Sequence, residues 1–200
     1  MFISKLRISG FKSFSEDTTI SINSGLNGII GPNGSGKSNV VEAIKWVMGE
    51  NSSKSLRGSG MNDLIFSGSA SKASKNIASV ALTIEVDKNI LEDNYKKFLK
   101  DNIIEVERQA TRDAGSSFRI NGKEVKAKDI QYLFADFSSG SRSSNIIDQG
   151  TIGNLVLQKP IDRRRILDEA AGISGISARK NETNSKLDST KRNLERINDI

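Results

Sequence analysis

Eight consecutive residues carry the clearest chemical pattern in the chain: Gly31-Pro32-Asn33-Gly34-Ser35-Gly36-Lys37-Ser38, at the spacing G-x-x-x-x-G-K-[ST]. That spacing is a phosphate-binding P-loop. Glycines at 31, 34 and 36 permit backbone conformations and close approaches that a side chain would block, so successive N–H groups can converge on phosphate oxygens. A helix opening at Lys37 adds the positive end of its dipole. Lys37 would reach the β- and γ-phosphates, and the Ser38 hydroxyl would take one position on a Mg²⁺ ion.

Such a loop works only when a strand delivers it and a helix leaves it. The apolar run Leu26-Asn27-Gly28-Ile29-Ile30 predicts the strand, and Val40, Val41, Ile44, Val47 and Met48 predict the helix, with Gly49 as its C-terminal cap. Upstream, Phe2 to Ile8 and Thr18 to Ile22 alternate apolar and polar residues and read as strands. Between them, Gly10-Phe11-Lys12-Ser13-Phe14 is either a loop pinned by its two aromatics or a segment that brings Lys12 near the nucleotide.

Residues 50–75 are loop-dominated, and Ser55-Leu56-Arg57-Gly58 within them reads, taken alone, as a solvated turn. Residues 77–87 put Val80, Leu82, Ile84 and Val86 on one strand face, residues 103–111 give another strand, and Ser117 to Val125 a hairpin turning at Asn121-Gly122. Ile130, Leu133, Phe134 and Phe137 mark one face of a short helix. Ile146-Ile147-Asp148-Gln149-Gly150 reads as the end of a short strand; beside the P-loop strand, the Gln149 carbonyl would take a second Mg²⁺ position or hold the attacking water.

From Pro160 the pattern is helical. Ile173, Ile176, Thr183, Leu187, Thr190, Leu194 and Ile197 follow heptad spacing with Lys180 in the intervening place. Two readings stand: a coiled-coil strand, or an amphipathic helix packed on its own domain. The fold expected is α/β, a P-loop lobe over 1–160 with a mixed sheet, followed over 161–200 by the start of a coiled-coil helix.

Composition narrows the chemistry. With no cysteine and no histidine among 200 residues, disulfides, thiolate or imidazole metal sites and Ser-His or Cys-His nucleophilic sites are excluded. No apolar run approaches a membrane span, which predicts a cytoplasmic protein without a membrane partner. The net charge of +6 is modest for a nucleic-acid binder and does not by itself argue DNA.

Together these stretches resemble the amino-terminal half of the ATPase head of bacterial SMC (structural maintenance of chromosomes) proteins. The resemblance rests on Gly10-Phe11-Lys12-Ser13-Phe14, the P-loop followed by Asn39, Lys45-Trp46-Val47-Met48-Gly49-Glu50, Ser55-Leu56-Arg57-Gly58, Gln149-Gly150, and Lys159-Pro160-x-x-Arg163-Arg164 running into Glu169-Ala170-Ala171-Gly172-Ile173. It implies that ATP and Mg²⁺ are the ligands. Gln149 looks like the glutamine that completes Mg²⁺ coordination with Ser38, and Arg57 like the arginine placed near the phosphates when two heads engage. Lys12 and Ser13 look like residues close to the nucleotide, and Met61 to Asp63 like a segment near the adenine. The family's partners would be a second head, a kleisin subunit at the helix from Ile161, and double-stranded DNA held through its phosphates without base reading. Chromosome condensation and partition at the nucleoid would be the setting.

The chain departs from the family at Asp136 to Ser144, where a Gly-x-Gly-(Lys/Arg) turn is usual. It also lacks the hydrolytic parts. Leu167-Asp168-Glu169 has the letters of a Walker B end, but Arg163 to Arg165 precede it and predict helix, and Ser138-Ser139-Gly140-Ser141 is a poor match to an L-S-G-G-Q loop. In the family these parts lie in a carboxy-terminal half-head, so this chain is expected to bind ATP with little or no hydrolysis. Rival readings are the half-head of a DNA-repair ATPase of the Rad50, RecN or RecF kind, a small GTPase or nucleotide kinase, and a coiled-coil interaction protein with a vestigial P-loop.

Overall fold

A computed structural model describes residues 2–52, 60–87, 93–136, 146–147, 153, 159–171 and 174–198. One compact unit holds the described residues between 2 and 133. Its frame is a six-stranded sheet in the order β2-β1-β3-β4-β5-β6. The strands are β1 (Phe2–Ser9), β2 (Thr18–Ser21), β3 (Ile77–Glu85), β4 (Ile103–Thr111), β5 (Gly115–Ile120) and β6 (Lys123–Val125).

Every pairing is antiparallel, so among the described residues the sheet is not the mixed sheet expected. The difference traces to residues 26–30. They form no strand, and Leu26 and Ile30 are fully exposed. A strand forms by pairing with a neighbour, and no described strand lies beside this segment.

Register explains the core. Leu6, Leu82, Val106 and Ile120 stand in one row across β1, β3, β4 and β5, and Ile8, Val80, Arg108 and Phe118 in the next. All eight are buried. Because side chains alternate between sheet faces, these rows share one face. The hairpin from β5 to β6 turns at Asn121 (φ 46°) and Gly122 (φ 78°), both left-handed as a type I′ turn requires.

Against β3 and β4 lies α1 (Lys37–Val47). Val40, Ala43, Trp46 and Val47 are buried, whereas Val41 is exposed: apolar spacing alone misassigned that one face position. The helix ends in a Schellman motif. Glu50 N–H donates to Lys45 O (3.0 Å) and Gly49 N–H to Trp46 O (3.1 Å), with Gly49 at φ 101°. Next, a 3₁₀ turn spans Met61–Leu64 and a short helix, α2, spans Asp93–Lys96. Helix α3 (Ala127–Asp136) buries Ile130, Leu133 and Phe134, as its pattern predicts.

A second unit contains α4 (Pro160–Ala170) and α5 (Ser174–Asn198). Leu167-Asp168-Glu169 is helical, so it is no Walker B strand. At the described heptad positions of α5, Ile176, Leu187 and Leu194 are exposed. Thr183 and Thr190 turn their hydroxyls onto the carbonyls of Arg179 and Lys186, four residues back (2.9 Å each). Among the described residues, no helix is long and apolar enough to cross a membrane.

Candidate nucleotide site

The P-loop leads straight into the first turn of α1. Gly36 is the helix N-cap at φ 90°, ψ 9°, a left-handed conformation that glycine adopts without penalty. Gly31, Pro32, Asn33, Gly34, Ser35 and Ser38 are exposed; Gly36, Lys37 and Asn39 are half-buried. Lys37 folds back over the loop, its Nζ donating to the carbonyls of Gly31 (2.7 Å) and Pro32 (2.6 Å). The ammonium therefore stands over the loop concavity, held by neutral acceptors that an anionic phosphate would outcompete for it.

A second segment braces the loop. Asn39 Nδ2 donates to Ser13 Oγ (2.8 Å), and a Cβ built on Gly36 would lie 2.5 Å from that same oxygen. Ser13 thus touches the P-loop, and glycine at 36 is favoured by its φ of 90°, while a side chain there would also have to displace the Ser13 hydroxyl. The segment carrying Ser13 is itself anchored. Phe11 is fully buried with its ring 5.2 Å from that of Trp46, and Lys12 N–H donates to Leu64 O (2.8 Å).

Lys12 has φ 48°, and its ammonium forms an ion pair with Glu42, one helical turn beyond Ser38. Both side chains are nearly buried, 12% and 6% exposed. The pinned-loop reading describes this segment as the structure holds it. Phe11 pins it, and the pinned backbone sets Lys12 and Ser13 against the first turns of the P-loop helix.

The other predicted residues fall elsewhere. Asp63 is exposed in the 3₁₀ turn and accepts from Gly60 N–H (3.2 Å), capping its own turn. Arg57 and Gln149 lie outside the described residues, as does Phe137; Ile146 and Ile147 are described and are not in a strand.

Sequence reasoning missed Glu42 and Arg108. Arg108 is 1% exposed and sits on the apolar face of β4. Its Nη1 donates to Trp46 O (2.9 Å) and Glu50 O (2.8 Å), and its Nη2 to Asn51 Oδ1 (2.6 Å) and Ser116 Oγ (3.2 Å). The guanidinium lies 4.8 Å from the Trp46 ring and 4.6 Å from that of Phe118. Burial lowers its pKa below the ordinary guanidinium value to about 10, with the Glu50 carboxylate pulling the other way, so it stays charged at neutral pH. The signal was present: in Ile104-x-Val106-x-Arg108-x-Ala110 an arginine occupies an inward position of an alternating strand.

Comparison with known proteins agrees with this architecture. Residues 2–141 match the RecF/RecN/SMC N-terminal domain. Over all 200 residues the chain is 46% identical to the chromosome partition protein Smc of Cereibacter sphaeroides, and spans 17% of that protein's length. Among solved structures, the Smc head domain of Pyrococcus furiosus, with an extended coiled coil and bound to the C-terminal domain of ScpA, superposes with a TM-score of 0.75 at 30% identity. That likeness covers 98% of this chain and 48% of the other. A structure from work on ATP-driven dimerization and DNA-stimulated activation of SMC ATPases superposes at 0.73 with 29% identity, covering 85% of this chain and 99% of its own. The chain belongs to the RecF/RecN/SMC N-terminal domain family, and it is the SMC proteins of that family that it resembles over its whole length.

Proposed function

We propose that this chain binds Mg²⁺–ATP at residues 31–38 and supplies the amino-terminal half of an SMC-type ATPase head that acts in chromosome partition. The observation that carries the reading is the exposed, glycine-shaped loop at the head of α1, with Lys37 over it and Ser13 and Asn39 fixing its rim. The residues fit the ligand. Gly34 and Gly36 hold the loop in left-handed conformations open to glycine, and an exposed Ser38 hydroxyl stands at the first helical turn.

In this reading Lys37 exchanges its two carbonyl acceptors for phosphate oxygens, and Ser38 offers a hydroxyl to the metal. Bound Mg²⁺ supplies charge neutralisation across the phosphates. Gln149 is assigned the second metal position, Arg57 the phosphate contact across engaged heads, and Asp63 a place near the adenine. Lys12 and Ser13 are assigned places close to the nucleotide, on the segment that bonds α1 through Asn39 and Glu42.

Hydrolysis would require a carboxy-terminal half-head. Leu26, Ile29 and Ile30, with Val41 on α1, expose apolar surface beside the P-loop and suit such a docking. A second SMC head, a kleisin at the helix from Ile161 and sequence-nonspecific double-stranded DNA complete the proposed partners, with ATP-dependent head engagement as the driven step.

The test is ATP turnover by the chain alone and after mixing with the matching carboxy-terminal half-head, with and without DNA, alongside melting with and without nucleotide. ATP at 100 times its Kd should stabilise the chain by about 2.7 kcal/mol, with adenine nucleotides preferred over guanine. Turnover should appear on mixing and vanish with Lys37→Ala or Gln149→Ala. Robust hydrolysis by the chain alone, lost with Lys37→Ala, would overturn the split-head assignment. A melting temperature indifferent to ATP would favour the vestigial P-loop.

A further inference from the structure

The helix that carries the P-loop is buried at its far end, and there one charged side chain from the sheet, Arg108, bonds the backbone around its C-terminus. α1 has 11 residues, about 16 Å at 1.5 Å per residue, and Arg108 grips the carbonyls around its C-terminus from β4. Four of its five N–H bonds are donated to Trp46 O, Glu50 O, Asn51 Oδ1 and Ser116 Oγ; Nε and the indole Nε1 of Trp46 are the buried side-chain atoms, among those described, without a partner. Burying a guanidinium costs free energy that an apolar residue in the same row would not. The cost is offset by four acceptors: one in the last turn of α1, two in the segment that follows it, and one, Ser116, in β5.

We propose that Arg108 is a positioning residue for nucleotide binding: it fixes the direction of α1 against the sheet, so that the phosphate-binding turn at the opposite end is held in place before ligand arrives. The inference rests on the reading of residues 31–38 as an ATP site. Its physical basis is preorganisation. A helix free to tilt about Trp46 would have to be immobilised when phosphate binds, and that ordering would be subtracted from affinity. A positive charge at the C-terminal end also favours the dipole whose other end faces the phosphate.

The experiment compares Arg108→Met and Arg108→Lys with the unaltered chain, measuring ATP Kd at a temperature where all are folded. A truncation in the same strand, Ile104→Val or Ile104→Ala, chosen to match the fall in Tm of Arg108→Met, reports what destabilisation alone does. Arg108→Met should weaken ATP binding about five- to tenfold. Arg108→Lys, keeping charge and some of the donors, should lie between, and the Ile104 variant should leave Kd unchanged. Equal Kd in Arg108→Met and the unaltered chain would overturn the positioning role alone. No ATP binding by the unaltered chain would overturn the functional reading and this inference with it.

If Arg108→Met does not fold, hydrogen exchange in the unaltered chain decides. Coupling is reciprocal, so ATP should raise protection at the amides of Gly49 and Glu50. Unchanged protection there would overturn the proposal.

Discussion

The two ends of α1 are built on opposite plans. At the C-terminus, Trp46, Val47, Met48 and Glu50 are buried, a Schellman turn closes the helix, and a guanidinium inserted from β4 takes up its carbonyls. At the N-terminus the chain is exposed from Leu26 to Ser35, with no strand beside it among the described residues, and Lys37 bonds to the carbonyls of its own loop. One end is satisfied within the fold; the other is exposed to solvent. A rigid anchor and an open end on the same helix is the arrangement by which a scaffold presents backbone N–H groups to an anion at little reorganisation cost.

The largest effect that would test this asymmetry is at the anchor. Trp46→Ala removes a fully buried ring that stacks on Phe11 and lies under Arg108, and should cost about 3–5 kcal/mol by urea unfolding. Because Phe11 holds the segment with Lys12 and Ser13, the P-loop brace should loosen too. A loss under 1 kcal/mol would show that α1 does not depend on this end.

Gly49→Ala follows. With φ 101° and the Gln131 side chain 3.1 Å from the new Cβ, it should cost about 1–2 kcal/mol. Gly34→Ala is the matched control at the open end: φ is 81°, but nothing lies within 4 Å, so its cost should be the backbone term without the crowding. If Gly34→Ala proved the more damaging to stability, the loop would be more tightly built than its exposure implies.

Much of this contrast is legible in the sequence, and the exceptions have causes. Alternation located β1, β3 and β4 because each shows one face to the core. Asn121-Gly122 located the hairpin because both residues tolerate positive φ. Gly49 read as a cap for the same reason. Leu26 to Ile30 did not become a strand because a strand is a property of two segments, and apolar composition specifies only one. Arg108 escaped notice because a lone arginine in a strand usually faces solvent; its partners are carbonyls about 60 residues away in sequence, and backbone carbonyls have no sequence signature. The P-loop was legible for the opposite reason, since all its parts are contiguous.

Lys37→Ala should separate stability from binding. The residue is half-buried and its acceptors are the exposed loop's own carbonyls, so unfolding should shift by no more than about 0.5 kcal/mol while ATP-induced stabilisation disappears. A large loss of stability would mean that Lys37 is part of the fold's anchor.

Charge sharpens the comparison at the smallest scale. Arg108 remains protonated throughout the neutral range, so this guanidinium should contribute no pH dependence to stability between pH 5 and 9. Exposed pairs behave differently. Glu16 hydrogen-bonds Lys72 at 2.7 Å, and this bond, with the Lys72 charge, lowers its pKa below the ordinary 4.5. A carboxylate whose folded pKa is depressed stabilises the fold above its unfolded pKa, and that contribution is lost as pH falls from about 4.5 through the lower folded value. Being fully exposed, the pair is screened and its effect is small. Melting curves from pH 7 to 3 should therefore show Glu16→Gln with a slightly shallower acid limb than the unaltered chain and the same profile above pH 5. An identical acid limb would mean that solvent and salt already cancel the pair, leaving the buried guanidinium as the better-founded of the two electrostatic contacts.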